Sequence, residues 1–159
     1  MDRTHATSGE RPGEPAIVTE ADRRARRIAD TLLAREGTGP AWNLAIEEAR
    51  MGYARVAMTL TPAMLNGYGT AHGGMIFSLA DSAFAYACNT RNATTVAQSC
   101  TIAFIDAGRP GERLVAEARE TALRGRTGVY LMTVYGEDGR IVAEMQGLSR
   151  TVGGPIVED

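Results

Sequence analysis

The chain has 159 residues, 44% of them apolar and 23% charged, the balance of a single globular domain. Its 17 basic and 19 acidic side chains leave a formal charge of −2, so nucleic acid has no electrostatic footprint here, and no apolar run approaches the roughly 20 residues of a membrane span. The N-terminus MDRTHATSGERPGEP lacks an apolar signal core, and Cys88 and Cys100 are too few for a disulfide framework; their small and apolar neighbours predict buried free thiols in a reducing cytoplasm.

Residues 1–18 are polar and carry Gly9, Pro12, Gly13 and Pro15, which predicts a disordered or flexible tail. A helical extension follows over 19–42. Thr19 and Asp22 are spaced as a capping box, and Ala25, Ile28, Leu32 and Leu33 form a thin apolar stripe. Gly37 is a stop signal. The cluster RRARR reads as a solvated helix face because acids are interleaved with it.

The main domain is expected over 43–159. A short strand around 45–49 is followed by a turn near Met51-Gly52. Then Ala54, Val56, Met58 and Leu60 share one face of a second strand. A long helix is predicted over 74–89. Ile76, Phe77, Ala80, Ala83, Phe84, Ala87 and Cys88 fall at helical spacing, and Leu79, Ala85 and Tyr86 leave the other side almost uncharged. Such a helix is buried on most sides. In VAQSCTIAF, Val96, Gln98, Cys100, Ile102 and Phe104 alternate with small residues, and RLVAEARETAL alternates charged with small. The last stretch reads as two strands joined by a turn at GEDG. One buried helix with mainly antiparallel strands predicts an α+β fold, a sheet curled around a central helix.

The chemistry gathers in NGYGTAHGGMIFSLADSAFAYACNT, residues 66–90. Gly73 and Gly74 stand where the long helix begins. Its first N–H groups lack helical partners and can bind a developing oxyanion, or the glycines simply make a tight turn. Asp81 is a carboxylate in an apolar helix. It is a nucleophile or general base, or else an acid buried for structure. His72 structures the loop, caps the helix, or contacts the acyl group. Asn66 makes an Asn-Gly turn, or its amide orients water or the carboxylate. No histidine and cysteine set has metal-ligand spacing, so no metal is expected. Eight helical residues rise about 12 Å, too far for Asp81 to reach a carbonyl held at Gly73 of its own chain. If both act on one thioester, they come from two chains of a symmetric dimer.

The motif LNG, then HGG, then LAD-AFAYACN resembles the hotdog-fold acyl-CoA thioesterases of the phenylacetic-acid degradation type, within the 4-hydroxybenzoyl-CoA thioesterase-like superfamily. CTIAF, GRPGERLVAEA, RTGVYLMTVY and GLSRTVGG are similar too, so the resemblance covers about 43–155. It implies an antiparallel sheet wrapped around the helix, a double-hotdog homodimer that forms the active site, and a homotetramer. The catalytic set falls on Asp81, Gly73, Asn66 and His72, with Gly74 at the same helix end. Coenzyme A enters only as part of the substrate, and no other cofactor is implied. Its phosphates are expected near the turn Arg124, Gly125, Arg126 and Thr127, which otherwise is a solvated turn. Tyr68, Thr70 and Phe84 are candidates for the acyl pocket. The segment FIDAGRPG departs from the family's F-x-R-P-x-x-x-G. The activity implied is hydrolysis of (hydroxy)phenylacetyl-CoA or a related aryl or medium-chain acyl-CoA. The alternatives are a non-catalytic acyl-CoA sensor and a hotdog hydratase or dehydratase. The latter is disfavoured because the helix carries no histidine after Asp81.

Overall fold

The computed structural model of the protein describes residues 18–158; the expected tail over 1–17 lies outside them. The elements are α1 (Glu20–Arg35), the short α2 (Thr38–Ala41), β1 (Ala45–Arg50), β2 (Tyr53–Thr59), a 3-10 turn (Pro62–Met64), α3 (Gly73–Asn89), β3 (Thr95–Phe104), β4 (Arg113–Arg124), β5 (Thr127–Tyr135) and β6 (Ile141–Thr151). The six strands form one sheet in the order β1-β2-β4-β5-β6-β3, with every neighbouring pair antiparallel. The chain leaves β2 and crosses the sheet as α3. It then lands at the far edge as β3, so the hairpins β4–β5–β6 fill the space between.

Packing follows from the pattern of α3. Ile76, Leu79, Ala80, Ala83, Phe84 and Ala87 are buried against Val56, Met58, Leu114, Ala116, Met132 and Val134 of the sheet. Burying each large side chain among them contributes about 1.5–3 kcal/mol. The closest approach is at Gly147 of β6. A Cβ there would lie 2.6 Å from the Phe84 ring, so glycine lets helix and sheet meet. Phe84 also packs on Tyr130, with ring centroids 5.2 Å apart. It is wholly buried in the core of the chain.

Near the N-terminus the capping box is present as predicted: Thr19 Oγ1 accepts from Asp22 N–H, and the Asp22 carboxylate accepts from Thr19 N–H. Asp22 also accepts from Met51 N–H at 3.2 Å, tying α1 to the β1–β2 turn. The arginine cluster is solvated and paired within the helix, Arg23 with Glu20 and Arg26 with Asp30. The stop differs from expectation. Glu36 caps α1 in an extended conformation, while Gly37 keeps a negative φ and leads into α2.

The two sheet edges contrast. β1 carries Glu47, Glu48 and Arg50, lies under α1, and has one edge carbonyl taken by Arg26. Such charge and cover blunt an edge against further pairing. β3 has neither. Its ten residues hold no charge and no proline, and most are exposed, including Val96 and Phe104. The alternation expected there is broken by a bulge between Ala97 and Ser99, which leaves Cys100 and Ile102 half-buried toward the core and Val96 in the open. Cys88 is buried as expected, and both thiols are free.

Gly147→Ala drives a methyl into the Phe84 ring. It should lower the unfolding free energy by about 1–3 kcal/mol in urea titrations, with little change in slope.

Candidate active site

The site is built around the start of α3. His72 is the N-cap, with extended backbone (φ −63, ψ 132), and its Nδ1 accepts from Gly74 N–H at 2.9 Å. The ring proton therefore sits on Nε2. The N–H groups of Met75 and Ile76 both donate to the His72 carbonyl. Of the first-turn donors, only Gly73 N–H has no acceptor among the described residues. This is the unpaired donor that an oxyanion needs, at the positive end of a 17-residue helix. The Phe104 ring stands over it, 3.2 Å from where a Gly73 Cβ would be.

Asn66 organises the loop before the helix. Its Oδ1 accepts from Tyr68 N–H (2.9 Å) and Thr70 N–H (3.2 Å), and its Nδ2 donates to Thr70 Oγ1 (2.9 Å). The amide is thus spent within residues 66–71. Gly69 takes φ +76, which closes the turn. Tyr68 stands almost fully exposed at the loop tip, and Thr70 is half-buried beneath it.

Asp81 lies two turns into α3 on a stripe that the sheet does not cover: Gly74, Ser78, Asp81 and Ala85, at spacings of four, three and four. The expectation of a helix buried on most sides holds except along this stripe. The Asp81 carboxylate has no hydrogen bond or ion pair to any described residue, and burial raises its proton affinity above the ordinary aspartate value. Its charge is felt by both thiols. Burial, then Asp81, pushes the Cys88 thiol up to about 12, and the Cys100 thiol rises for the same two reasons. Asp81 and Gly73 occupy one unbroken helix, so the separation of about 12 Å stands. No three His, Cys, Asp or Glu side chains gather as a metal centre among the described residues.

At the far end of the sheet the β4–β5 turn holds Gly125 at φ +60, and Arg126 Nε donates to Thr151 O at 2.8 Å. Strand register adds a residue that sequence reasoning missed. Arg124 pairs with Thr127, Thr127 with Arg150, and Arg150 with Val96. Arg124 and Arg150 therefore share one face, two strand spacings or about 10 Å apart. Both are exposed, with no acid partner among the described residues. Only the pairing of distant strands reveals the row; Arg150 lies in the segment GLSRTVGG, but its sequence alone does not place it beside Arg124.

Comparison with known proteins agrees with this architecture. A model of the thioesterase superfamily matches residues 68–143. The acyl-coenzyme A thioesterase PaaI of Escherichia coli is 45% identical over 105 residues, which cover 66% of this chain and 75% of that one. The solved structure of the E. coli PaaI protein, from the phenylacetic acid degradation operon, superposes with a TM-score of 0.84 at 37% identity, over 86% of this chain and 99% of that one. A Streptococcus mutans protein solved with acetyl-CoA bound superposes with a TM-score of 0.69 at 25% identity, over 71% and 91% of the two chains.

Because its folded-state pKa is raised, ionised Asp81 weighs against the fold. The contribution of Asp81 to stability is greatest below the ordinary aspartate pKa and is lost as pH rises through the raised value. Asp81→Asn should therefore melt higher than the wild type at neutral pH, with the difference vanishing in acid; thermal melts across pH check this.

Proposed function

The chain belongs to the thioesterase superfamily, and from that premise we propose how its residues act as it hydrolyses acyl-CoA thioesters to free acid and coenzyme A. The carrying observation is the pairing of two incomplete halves on one helix. One is a free N–H at Gly73, and the other an unpartnered carboxylate about 12 Å along at Asp81. The halves meet when two copies join through their bare β3 edges, with the uncovered α3 stripes antiparallel. Gly73 of one protomer then faces Asp81 of its partner, twice per dimer. The exposed Val96, Phe104 and Tyr68 support this assembly, since they flank the same edge or lie beside the same helix end. A tetramer would join two such dimers.

In this reading the thioester oxygen accepts from Gly73 N–H. The partner's Asp81 takes a proton from water as the new C–O bond forms, and the raised proton affinity suits a base working near neutrality. Collapse of the tetrahedral species breaks the C–S bond, and the thiolate leaves with the proton. His72 holds the glycine turn through Gly74, and Asn66 holds the loop that delivers it. The reaction consumes only substrate and water, and no further cofactor enters. The acyl group is of the (hydroxy)phenylacetyl class, supported by the likeness to PaaI. Tyr68 and Thr70, on the loop that leads to Gly73, are the acyl contacts in this reading, supported by the exposure of Tyr68 and the partial exposure of Thr70 there. Arg124 and Arg150, with Arg126 and Thr127 at the turn, form the phosphate-binding row for coenzyme A, since guanidinium groups match phosphate bidentately. The free thiols support a cytoplasmic setting.

Gly73→Pro removes the donor and keeps the helix start, with the exposed Phe104 ring, 3.2 Å from the added Cβ, giving way by a few tenths of an ångström. Proline is favoured at the first helical position, and His72 already has the extended backbone that a following proline needs. The variant should stay folded and release free thiol from phenylacetyl-CoA on the order of 100-fold more slowly. Asp81→Asn should be slower still. Co-refolding these two inactive chains should restore about a quarter of the wild-type rate, because half the dimers then carry one intact site. A mixture as inactive as its parents refutes a site shared between chains.

Replacing both Arg124 and Arg150 with Ala should raise KM about tenfold or more while sparing kcat. The same variant should handle a dephospho-CoA thioester as the wild type does if the row reads the 3′-phosphate.

A further inference from the structure

The turn bearing Gly73 is held from outside by the connection between β3 and β4, the segment whose sequence departs from the family pattern. Ala71 N–H donates to Gly108 O at 2.9 Å, two residues before Gly73. Gly108 has no room for a side chain: a Cβ there would lie 2.7 Å from the Ala71 methyl and 3.1 Å from Leu60. The backbones of the connection and of the catalytic turn are thus in direct contact.

Besides its packing against Leu60 and Ala71, Gly108 is flanked by an ion pair. Arg140, on the β5–β6 turn, donates through Nη2 to Ala107 O at 2.7 Å. Glu112 accepts from Arg109 N–H at 2.8 Å. These two bonds grip the residues on either side of Gly108. The side chains that make them are locked to each other by two parallel bonds, Nη1 to Oε1 (2.6 Å) and Nη2 to Oε2 (2.8 Å). Glu112 also accepts from Glu137 N–H, and its own carbonyl accepts from Leu60 N–H. Asp138 and Asp106 complete the shell around the guanidinium. Glu112 is only 6% exposed, the one buried acid of the described chain. Hydrogen bonding from Arg140 holds its carboxyl down to about 2, so it stays charged wherever the enzyme works.

We propose that Arg140 and Glu112 are positioning residues for the reaction, fixing the Gly73 N–H through Gly108 and Ala71. The proposal rests on Gly73 being the oxyanion donor. A ring of hydrogen bonds that ended at the β5–β6 turn would only stabilise the hairpin. This one continues across Gly108 to the backbone beside the donor. Sub-ångström placement governs such donors, so loosening the clamp lowers kcat and leaves substrate affinity nearly unchanged.

The test compares steady-state kinetics of Arg140→Lys and Glu112→Gln on the intact protein with phenylacetyl-CoA, well below each variant's Tm. Glu112→Gln keeps the shape of the side chain and carries the test if the lysine variant folds poorly. Glu120→Gln, which breaks the Arg91–Glu120 pair elsewhere in the sheet, is the stability control. The expected result is a fall in kcat on the order of 10- to 100-fold with KM within about twofold, uniform across neutral and mildly acidic pH. In the Gly73→Pro background the same changes should add no further loss, because the donor they position is gone. Wild-type kcat with only a lowered Tm, an equal kcat loss in Glu120→Gln, or full additivity with Gly73→Pro would overturn the clamp. Gly73→Pro turning over at the wild-type rate would instead remove the premise, so the two failures are distinguishable.

Discussion

The fixed rise of an α-helix is the constraint from which the rest follows. A donor at the first position of α3 and a carboxylate eight residues on are separated by about 12 Å whatever their side chains do. Packing makes the separation rigid, because Leu79, Ala80, Ala83 and Phe84 pin the helix to the sheet between and beyond the two points. On the proposed mechanism one chain therefore carries both groups and cannot bring them together. The same helix also leaves Gly74 exposed and Ser78, Asp81 and Ala85 only half-buried, with side chains small enough for a second helix to approach closely.

The sheet treats its edges in keeping with that constraint. β1 is charged and covered, so it does not invite another strand. β3 is uncharged over ten residues and ends at Phe104, whose ring stands over Gly73. An open edge is an aggregation hazard unless something pairs with it. In the proposed dimer a second copy would remove the hazard and complete the site in one step. The proposed edge pairing and the proposed site thus share a geometric origin: the crossover that carries α3 over the sheet also delivers β3 to its rim.

Local signals were legible in the sequence, and distant pairings were not. Thr19 and Asp22 form their capping box because the partners are three residues apart. The turn at GEDG and the apolar face of α3 likewise depend on near neighbours. Asp81 and Gly73 stood out because a lone acid and paired glycines are conspicuous against an apolar helix. By contrast, the β3 alternation failed at a bulge that depends on its pairing with β6. Gly37 looked like a left-handed stop, yet Glu36 ends the helix by turning to extended backbone, since α1 must hand over directly to α2. Phe84 has the spacing of a helix-face residue, but only the position of Gly147 on β6 decides which way that face is covered. Arg150 and Arg124 become neighbours through two strand pairings, and Arg140 meets Glu112 across 28 residues.

The two half-sites differ in what can hold them still. Asp81 sits on a helix whose apolar face is buried, so packing fixes its backbone and its carboxylate is left unpaired, with a raised proton affinity. Gly73 follows a polar loop of glycine, threonine and asparagine, with little apolar surface to bury. Directional bonds must supply the rigidity there: Asn66 within the loop, His72 at the cap, and the backbone link from Ala71 to Gly108. A hydrogen-bonded loop is only as stiff as the segment it is bonded to. That segment contains Gly108, Pro110 and Gly111 and also lacks apolar side chains beyond Ile105 and Ala107. A nearly buried, bidentate ion pair is costly to desolvate and is weak grounds for overall stability. Its value here is geometric. It fixes the Ala107 carbonyl and the Arg109 N–H on either side of Gly108 by directional bonds, which accounts for the most enclosed acid of the described chain standing behind the turn that carries the proposed donor.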